Sequence, residues 1–255
     1  MIGAAVDLYK QTRKKHDLLY NLYVMRPVAA LVTVAVAKTS ATPNQITLLN
    51  MAFFIASIAM LVAMPTYTGG ILAVVVLEVS YCFDCVDGML ARYKKIASKE
   101  GHLFDFFIDE GKAVMLVSAL GVRLWRTGGR GIDLSEWSAG DARFLLAAIA
   151  GTVVVASAIS LTNFVRRPEL SGKATSVEAH YETVEQVKPK SLVGKLAALA
   201  TDFLRFLNHY PAHIYVFAIV ACFEAYFWIY IALNLLYLAR GWLGLILRFG
   251  RPHKG

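Results

Sequence analysis

Asp84, Asp87, Asp105 and Asp109 lie in the stretch DCVDGMLARYKKIASKEGHLFDFFID, at the ends of two strongly apolar segments. Carboxylates beside a bilayer are costly, and where they occur they usually serve a function. Asp84 and Asp87 are three apart and Asp105 and Asp109 four apart, so each pair shares a helix face. Gly101 lies four before Asp105 and extends that face by a turn. Eight residues separate Arg92 from Gly101, enough for one helix to end and an antiparallel one to begin. Such a pair would bring all four carboxylates together. They could not all stay ionised without cations. Oxygen ligands suit Mg²⁺ or Mn²⁺, whose shells substrate phosphates usually complete. Arg92 and the nearby lysines then point to a pyrophosphate-bearing substrate. Gly88, Ala91 and Gly101 are small enough for a ligand to approach the backbone closely.

The elements that must position these residues are membrane helices. The chain has 255 residues, 57% of them hydrophobic, and a mean hydropathy of +0.53. A spanning helix needs about 20 apolar residues. Four spans are expected at 44–64, 70–91, 102–124 and 142–165. The apolar run 211–249 is too long for one span and is expected to form a hairpin of two, broken near Cys222-Phe223-Glu224. Thr42-Pro43-Asn44 reads as a helix start. Residues 4–24 read as a partly amphipathic juxtamembrane helix, and 27–38 as an apolar segment at the interface. The expected fold is all-α: a polytopic integral membrane protein with six transmembrane helices and an N-terminal juxtamembrane amphipathic helix. It forms a single domain over 1–255, with juxtamembrane helices in 1–41 and the six-helix core in 42–250. Residues 1–23 mix charges among apolar residues, so no cleavable signal peptide is expected.

The formal charge of +8 fits a membrane protein whose Lys and Arg meet anionic lipid, and nucleic-acid binding is not expected. Six spans put the N-terminal region, the 93–100 loop, the 166–207 loop and the tail on one side. These hold most of the basic residues, so that side is cytoplasmic and the aspartates face it. Cys82 and Cys85 form a C-x-x-C inside an apolar helix. Helix packing explains them better than redox or zinc chemistry, and no disulfide framework is implied.

Asp84-x-x-Asp87-Gly88-x-x-Ala91-Arg92, eight residues, then Gly101-x-x-x-Asp105-x-x-x-Asp109 resembles the signature of the CDP-alcohol phosphotransferase (CDP-alcohol phosphatidyltransferase) family. All eight signature positions are present at the family's spacing. The resemblance implies that a CDP-linked donor gives its substituted phosphate to an alcohol, in phospholipid biosynthesis, and that CMP leaves. By position, it implies that Asp84, Asp87 and Asp105 ligate metal. Asp109 would ligate or neighbour the metal and act as general base. Gly88, Ala91, Arg92 and Gly101, with Asp84 and Asp87, would hold the CDP part. The family likeness also implies a homodimer. The expected donor is CDP-diacylglycerol, because headgroup depth suits a lipid-borne pyrophosphate. A soluble CDP-alcohol with a lipid acceptor is the family's other arrangement. The expected location is the cell membrane of a bacterium or archaeon.

Arg166 and Arg167 end the fourth span on the aspartate side. They are either positive-inside anchors or a clamp for a phosphorylated acceptor. Glu78 is expected to pair with Lys112 or Arg123, and His180, His209 and His213 to lie at the interface. Asn44 and Thr47 could touch the nucleotide, although capping and packing explain them as well. Asp109 is followed by Glu110-Gly111-Lys112 rather than the Ala-Asp-Lys pattern of glycerophosphate-transferring relatives, so that subfamily is not favoured. A transporter or ion-binding membrane protein is the reading of another class, but it predicts charges near the bilayer midplane rather than at span ends.

Overall fold

The computed structural model describes residues 2–13, 17–129, 140–167, 203–204 and 206–249, without the side chains of Arg166 and Arg248. Eight α-helices have bounds within these residues: α1 (Ile2–Thr12), α2 (Arg26–Val36), α3 (Pro43–Ala63), α4 (Tyr67–Tyr93), α5 (Lys99–Thr127), α6 (Ala142–Arg166), α7 (Ile214–Ile219) and α8 (Phe223–Phe249). Strands are absent among the described residues. A π-helical turn, Asn21–Met25, leads into α2.

Side-chain caps set the starts of the long helices. Thr42 and Gln45 form a capping box at α3, with Pro43 in the first turn. Thr66 caps α4, Ser98 caps α5 and Asp141 caps α6. The expected spans 44–64, 70–91, 102–124 and 142–165 thus fall on α3, α4, α5 and α6, each within three residues at either end.

α3, α4, α6 and α8 are each long and apolar enough to cross a membrane. At about 1.5 Å per residue α5 also has the length. Its first half, however, carries Lys99, Glu100, Asp105, Asp109, Glu110 and Lys112. The expected hairpin over 211–249 is corrected: one 27-residue helix, α8, fills most of it. The break falls where expected, at a turn in which Ala221 has φ 54° and the Cys222 N–H bonds the Phe217 carbonyl at 2.8 Å. Within that run, the described residues before the break form the end of a 3-10 turn (Tyr210–Ala212) and the six-residue α7, too short for a span.

Two apolar clusters hold the helices together. One joins α3, α4, α5, α6 and α8 through Phe54, Leu61, Leu77, Leu116, Leu120, Val155 and Phe227. The second joins α1 and α2 to the C-terminal half of α4, through Leu8, Ala29, Ala30, Val86, Met89 and Leu90. α5 meets α6 at Gly121, where an added Cβ would stand 2.2 Å from the Ala148 Cβ. Small residues at such crossings let helix backbones approach when lipid supplies no hydrophobic drive.

At the end of the bundle away from the aspartates, Arg123 donates to the carbonyls of Leu61, Met64 and Thr66 at 3.1, 2.8 and 2.6 Å. It also lies over the Phe223 ring, 5.1 Å from its centroid. Arg126 donates to the Val62 carbonyl. The Leu61, Val62 and Met64 carbonyls are those that the C-terminus of α3 leaves unpaired, and Thr66 is the cap of α4. Arg123 is therefore committed there and does not pair with Glu78.

Candidate active site

Asp84 and Asp87 lie in the second half of α4, and Asp105 and Asp109 in the first half of α5. Asp84, Asp105 and Asp109 each turn a carboxylate oxygen to a common point, all within 4.8 Å of one another. Asp87 is buried beside them and accepts a hydrogen bond from Thr47 Oγ1 at 2.7 Å. α3 therefore forms a third wall of the site. Asn50, also on α3, donates to Asp84 Oδ1 at 2.8 Å, and its own Oδ1 accepts from Ser80 at 2.6 Å.

A cavity of about 550 Å³ opens next to the cluster. Asp87, Gly88, Ala91, Arg92, Gly101 and Asp105 line it, together with Thr42, Asn44 and Thr47 at the start of α3. The floor at Gly101 is tight. A Cβ there would stand 3.1 Å from both Asn44 Oδ1 and the capping Ser98 Oγ. Arg92 Nε donates to the Thr12 carbonyl at 3.1 Å, so the C-terminus of α1 anchors this guanidinium at the cavity wall. Lys94 Nζ reaches the carbonyls of Thr39 and Ala41, both at 2.9 Å, and ties the α4–α5 turn to the α2–α3 turn.

Lys112 is the site residue that the sequence reading missed, although its place three after Asp109 puts both on one face of α5. Its Nζ donates to Asp84 Oδ1 and to Asp109 Oδ1, each at 2.9 Å. The expected Lys112–Glu78 pair does not form, because the aspartates claim the ammonium. Glu78 instead accepts from Tyr20 Oη at 2.7 Å. Among the aspartates the exposure differs: the Asp109 side chain is 49% exposed, that of Asp84 19%. Asp109 is therefore the more open of the two carboxylates that Lys112 holds.

Behind Asp84 a second polar network links the N-terminal segment to the bundle. Arg26 pairs with Asp17, Asn21 donates to Asp17, and Tyr81 donates to Asn21 at 2.5 Å. The Tyr81 proton is thus spent on Asn21, so His209 Nε2, 2.8 Å from Tyr81 Oη, must be the donor in that contact. Burial pushes the His209 imidazole down to about 4, against the weaker opposing pull of Asp84. His213 is also buried, its Nε2 2.8 Å from the Leu207 carbonyl, so both histidines serve internal packing. His180 lies outside the described residues. Cys82, Cys85 and Cys222 are free thiols, and Cys85 is buried in the α1–α2–α4 cluster, as the packing reading expects.

Arg167 ends α6 exposed, its guanidinium 6.0 Å from the Phe164 ring centroid. The Arg166 side chain lies outside the described residues. One turn earlier on α6, Asn163 donates to Glu110, the neighbour of Asp109, at 2.7 Å. The end of α6 therefore stands beside α5 at Glu110, next to Asp109.

A family model described as CDP-alcohol phosphatidyltransferase matches residues 40–247, which hold the cavity and all four aspartates. The chain belongs to this family. No curated protein matches the chain individually. A CDP-alcohol phosphatidyltransferase is a transferase of lipid biosynthesis that uses a CDP-linked donor and an alcohol acceptor. With four spanning-length apolar helices, the phosphatidyltransferase is an integral membrane protein. The family is generally dependent on divalent metal. The convergent oxygens of Asp84, Asp105 and Asp109 suit a hard divalent cation, so the residues present fit that requirement.

Proposed function

We propose that this protein transfers a phosphatidyl group from CDP-diacylglycerol to the hydroxyl of a polar alcohol, with release of CMP. The observation that carries the reading is the double membership of Asp105. It lines the cavity beside Gly88, Ala91, Arg92 and Gly101, and it belongs to the carboxylate triad with Asp84 and Asp109. A nucleotide in the cavity would thus present its pyrophosphate to the carboxylate site.

Asp84, Asp87, Asp105 and Asp109 are the residues to hold Mg²⁺ or Mn²⁺. Such a cation offsets charge on the pyrophosphate and on the departing CMP. Arg92, fixed by the Thr12 carbonyl, meets the phosphate or ribose of the donor. Gly88, Ala91 and Gly101 leave room for the nucleotide. Asp109 is the general base. Lys112 occupies its Oδ1, and the side chain is half exposed, which leaves Oδ2 to take the proton of the acceptor hydroxyl. The deprotonated acceptor oxygen then bonds the lipid-bearing phosphorus as the phosphorus–oxygen bond to CMP breaks.

Arg166 and Arg167 supply the clamp for a phosphorylated acceptor. The Asn163–Glu110 bond one turn before them supports this, since it sets the end of α6 against α5 beside Asp109. The site faces the cytoplasm. α5 crosses the membrane as well, and α1 and α2 lie at the interface. Two copies assemble as a homodimer.

Purified protein in detergent, given CDP-diacylglycerol, Mg²⁺ or Mn²⁺ and a panel of alcohols, tests the reading. Inositol phosphate, glycerol phosphate, serine and inositol form the panel, with diacylglycerol plus CDP-choline as the reversed arrangement. CMP release that needs both metal and one alcohol establishes the reaction. Release only from CDP-choline reverses donor and acceptor, and release from no pair by folded protein removes the assignment.

A further inference from the structure

Lys112 follows Asp109 by one turn of α5 and is 1% exposed. Its ammonium bridges two helices by charge, donating to Asp84 of α4 and Asp109 of α5 at 2.9 Å each. Burying an ammonium is expensive unless it is paired, and so is holding two carboxylates face to face. Here each group offsets the cost of the other. The contact is closed on the α3 side, where Asn50 donates to the same Asp84 oxygen. A methionine would fill the space as well as a lysine, so it is the charge, not the volume, that needs explaining.

We propose that Lys112 is a positioning residue: a tethered cation that keeps Asp84 and Asp109 assembled without divalent metal and weakens metal binding at that edge of the site. This rests on the reading of the aspartate cluster as the metal site. The ammonium cancels one of the carboxylate charges. The empty site is then stable between turnovers, and Asp109 keeps one orientation whether or not metal is bound. Without Lys112, a bound cation, or a proton on one carboxylate, would have to relieve the repulsion between Asp84 and Asp109. Folding and metal binding would then become coupled.

The test uses the full chain in detergent as wild type, Lys112→Met, Lys112→Arg and the double variant Asp109→Asn with Lys112→Met. Unfolding temperature is measured in EDTA and in millimolar Mn²⁺, and Mn²⁺ binding is followed by electron paramagnetic resonance. Lys112→Met should unfold about 10 °C below wild type in EDTA, the scale for breaking a buried ion pair. It should recover in Mn²⁺ and bind Mn²⁺ about tenfold more tightly. Lys112→Arg should track wild type. The double variant should regain stability in EDTA, because one carboxylate has been neutralised with the ammonium gone. A simple packing role predicts no such recovery.

Wild-type stability of Lys112→Met in EDTA, a loss that Mn²⁺ does not reverse, or no recovery in the double variant would overturn the proposal. If Lys112→Met does not accumulate as folded protein, a folded double variant supports the proposal and an unfolded one overturns it. Wild type that binds no Mn²⁺ removes the metal reading and the proposal with it. Wild type that binds Mn²⁺ as Lys112→Met does removes only the proposal.

Discussion

Asn50 Nδ2 donates to Asp84 Oδ1 across the α3–α4 interface at 2.8 Å, while Asn50 Oδ1 accepts from Ser80. One fully buried amide therefore aims a carboxylate of the site and is itself aimed from the same helix as that carboxylate. Partners of this kind typically change metal affinity or activity about 10–100-fold when removed. Asn50→Ala is expected to raise the Mn²⁺ concentration needed for half-maximal CMP release by that range. An unchanged metal requirement would show that Asp84 does not depend on Asn50.

Asp109→Asn should lower transfer about 10²–10⁴-fold, the usual contribution of a positioned general base. The donor KM should move little, because the nucleotide cavity is lined by Asp87 and Asp105 rather than Asp109. Turnover close to wild type, with the variant confirmed by mass spectrometry, would remove Asp109 from the role of base.

Arg92 depends on a residue far away in sequence. Its Nε is held by the Thr12 carbonyl at 3.1 Å, and α1 is docked by buried Ala5 and Leu8. Removing residues 2–12 should leave the other five signature residues of the cavity in place but unfix this guanidinium. The expected outcome is a rise in donor KM of about tenfold, from the loss of one charge-assisted contact, with a smaller change in kcat. Equal kinetics in the truncated protein would show that α1 plays no part in donor binding.

His209 predicts a pH dependence of stability. In the folded protein its ionisation is pushed down to about 4, from an ordinary value of 6.5. Between those values the unfolded chain holds a proton there that the folded chain does not. Its contribution is therefore fully present above pH 6.5 and is lost as pH falls towards 4, on the order of 3 kcal/mol in all. His209→Gln should flatten the fall in unfolding temperature between pH 6.5 and 4.5 relative to wild type. Identical slopes would show that other groups carry the acid sensitivity of the fold.

Much of the site was legible before the fold. Helical spacing alone puts Asp84 with Asp87 and Asp105 with Asp109, and a short connection forces α4 and α5 to run antiparallel. That is why six signature residues line one cavity and the carboxylates converge. The limits of α3 to α6 were readable to within three residues from the apolar runs, and Thr42 marked the start of α3 by its own hydrogen bonding; the caps Thr66, Ser98 and Asp141 came into view only with the structure. The run 211–249 misled, because uniform hydrophobicity carries no signal that separates a hairpin from a short turn followed by one long helix. Its break was visible, but the length of each arm was set by packing of α7 and α8 on the bundle.

By itself the sequence determined the local matters: which residues share a face, where helices begin, and that a cluster of carboxylates stands at the end of apolar segments. Those follow from short-range geometry and solvation. Tertiary structure alone decided the partners of the charges. Lys112, already one turn from Asp109, took Asp84 rather than Glu78 as its distant partner, Arg123 chose carbonyls between α3 and α4, and Arg92 was fixed by the end of α1. An ion pair or hydrogen bond is chosen by which groups lie within about 3 Å once helices pack, and residues distant in the chain carry no sequence mark of that proximity.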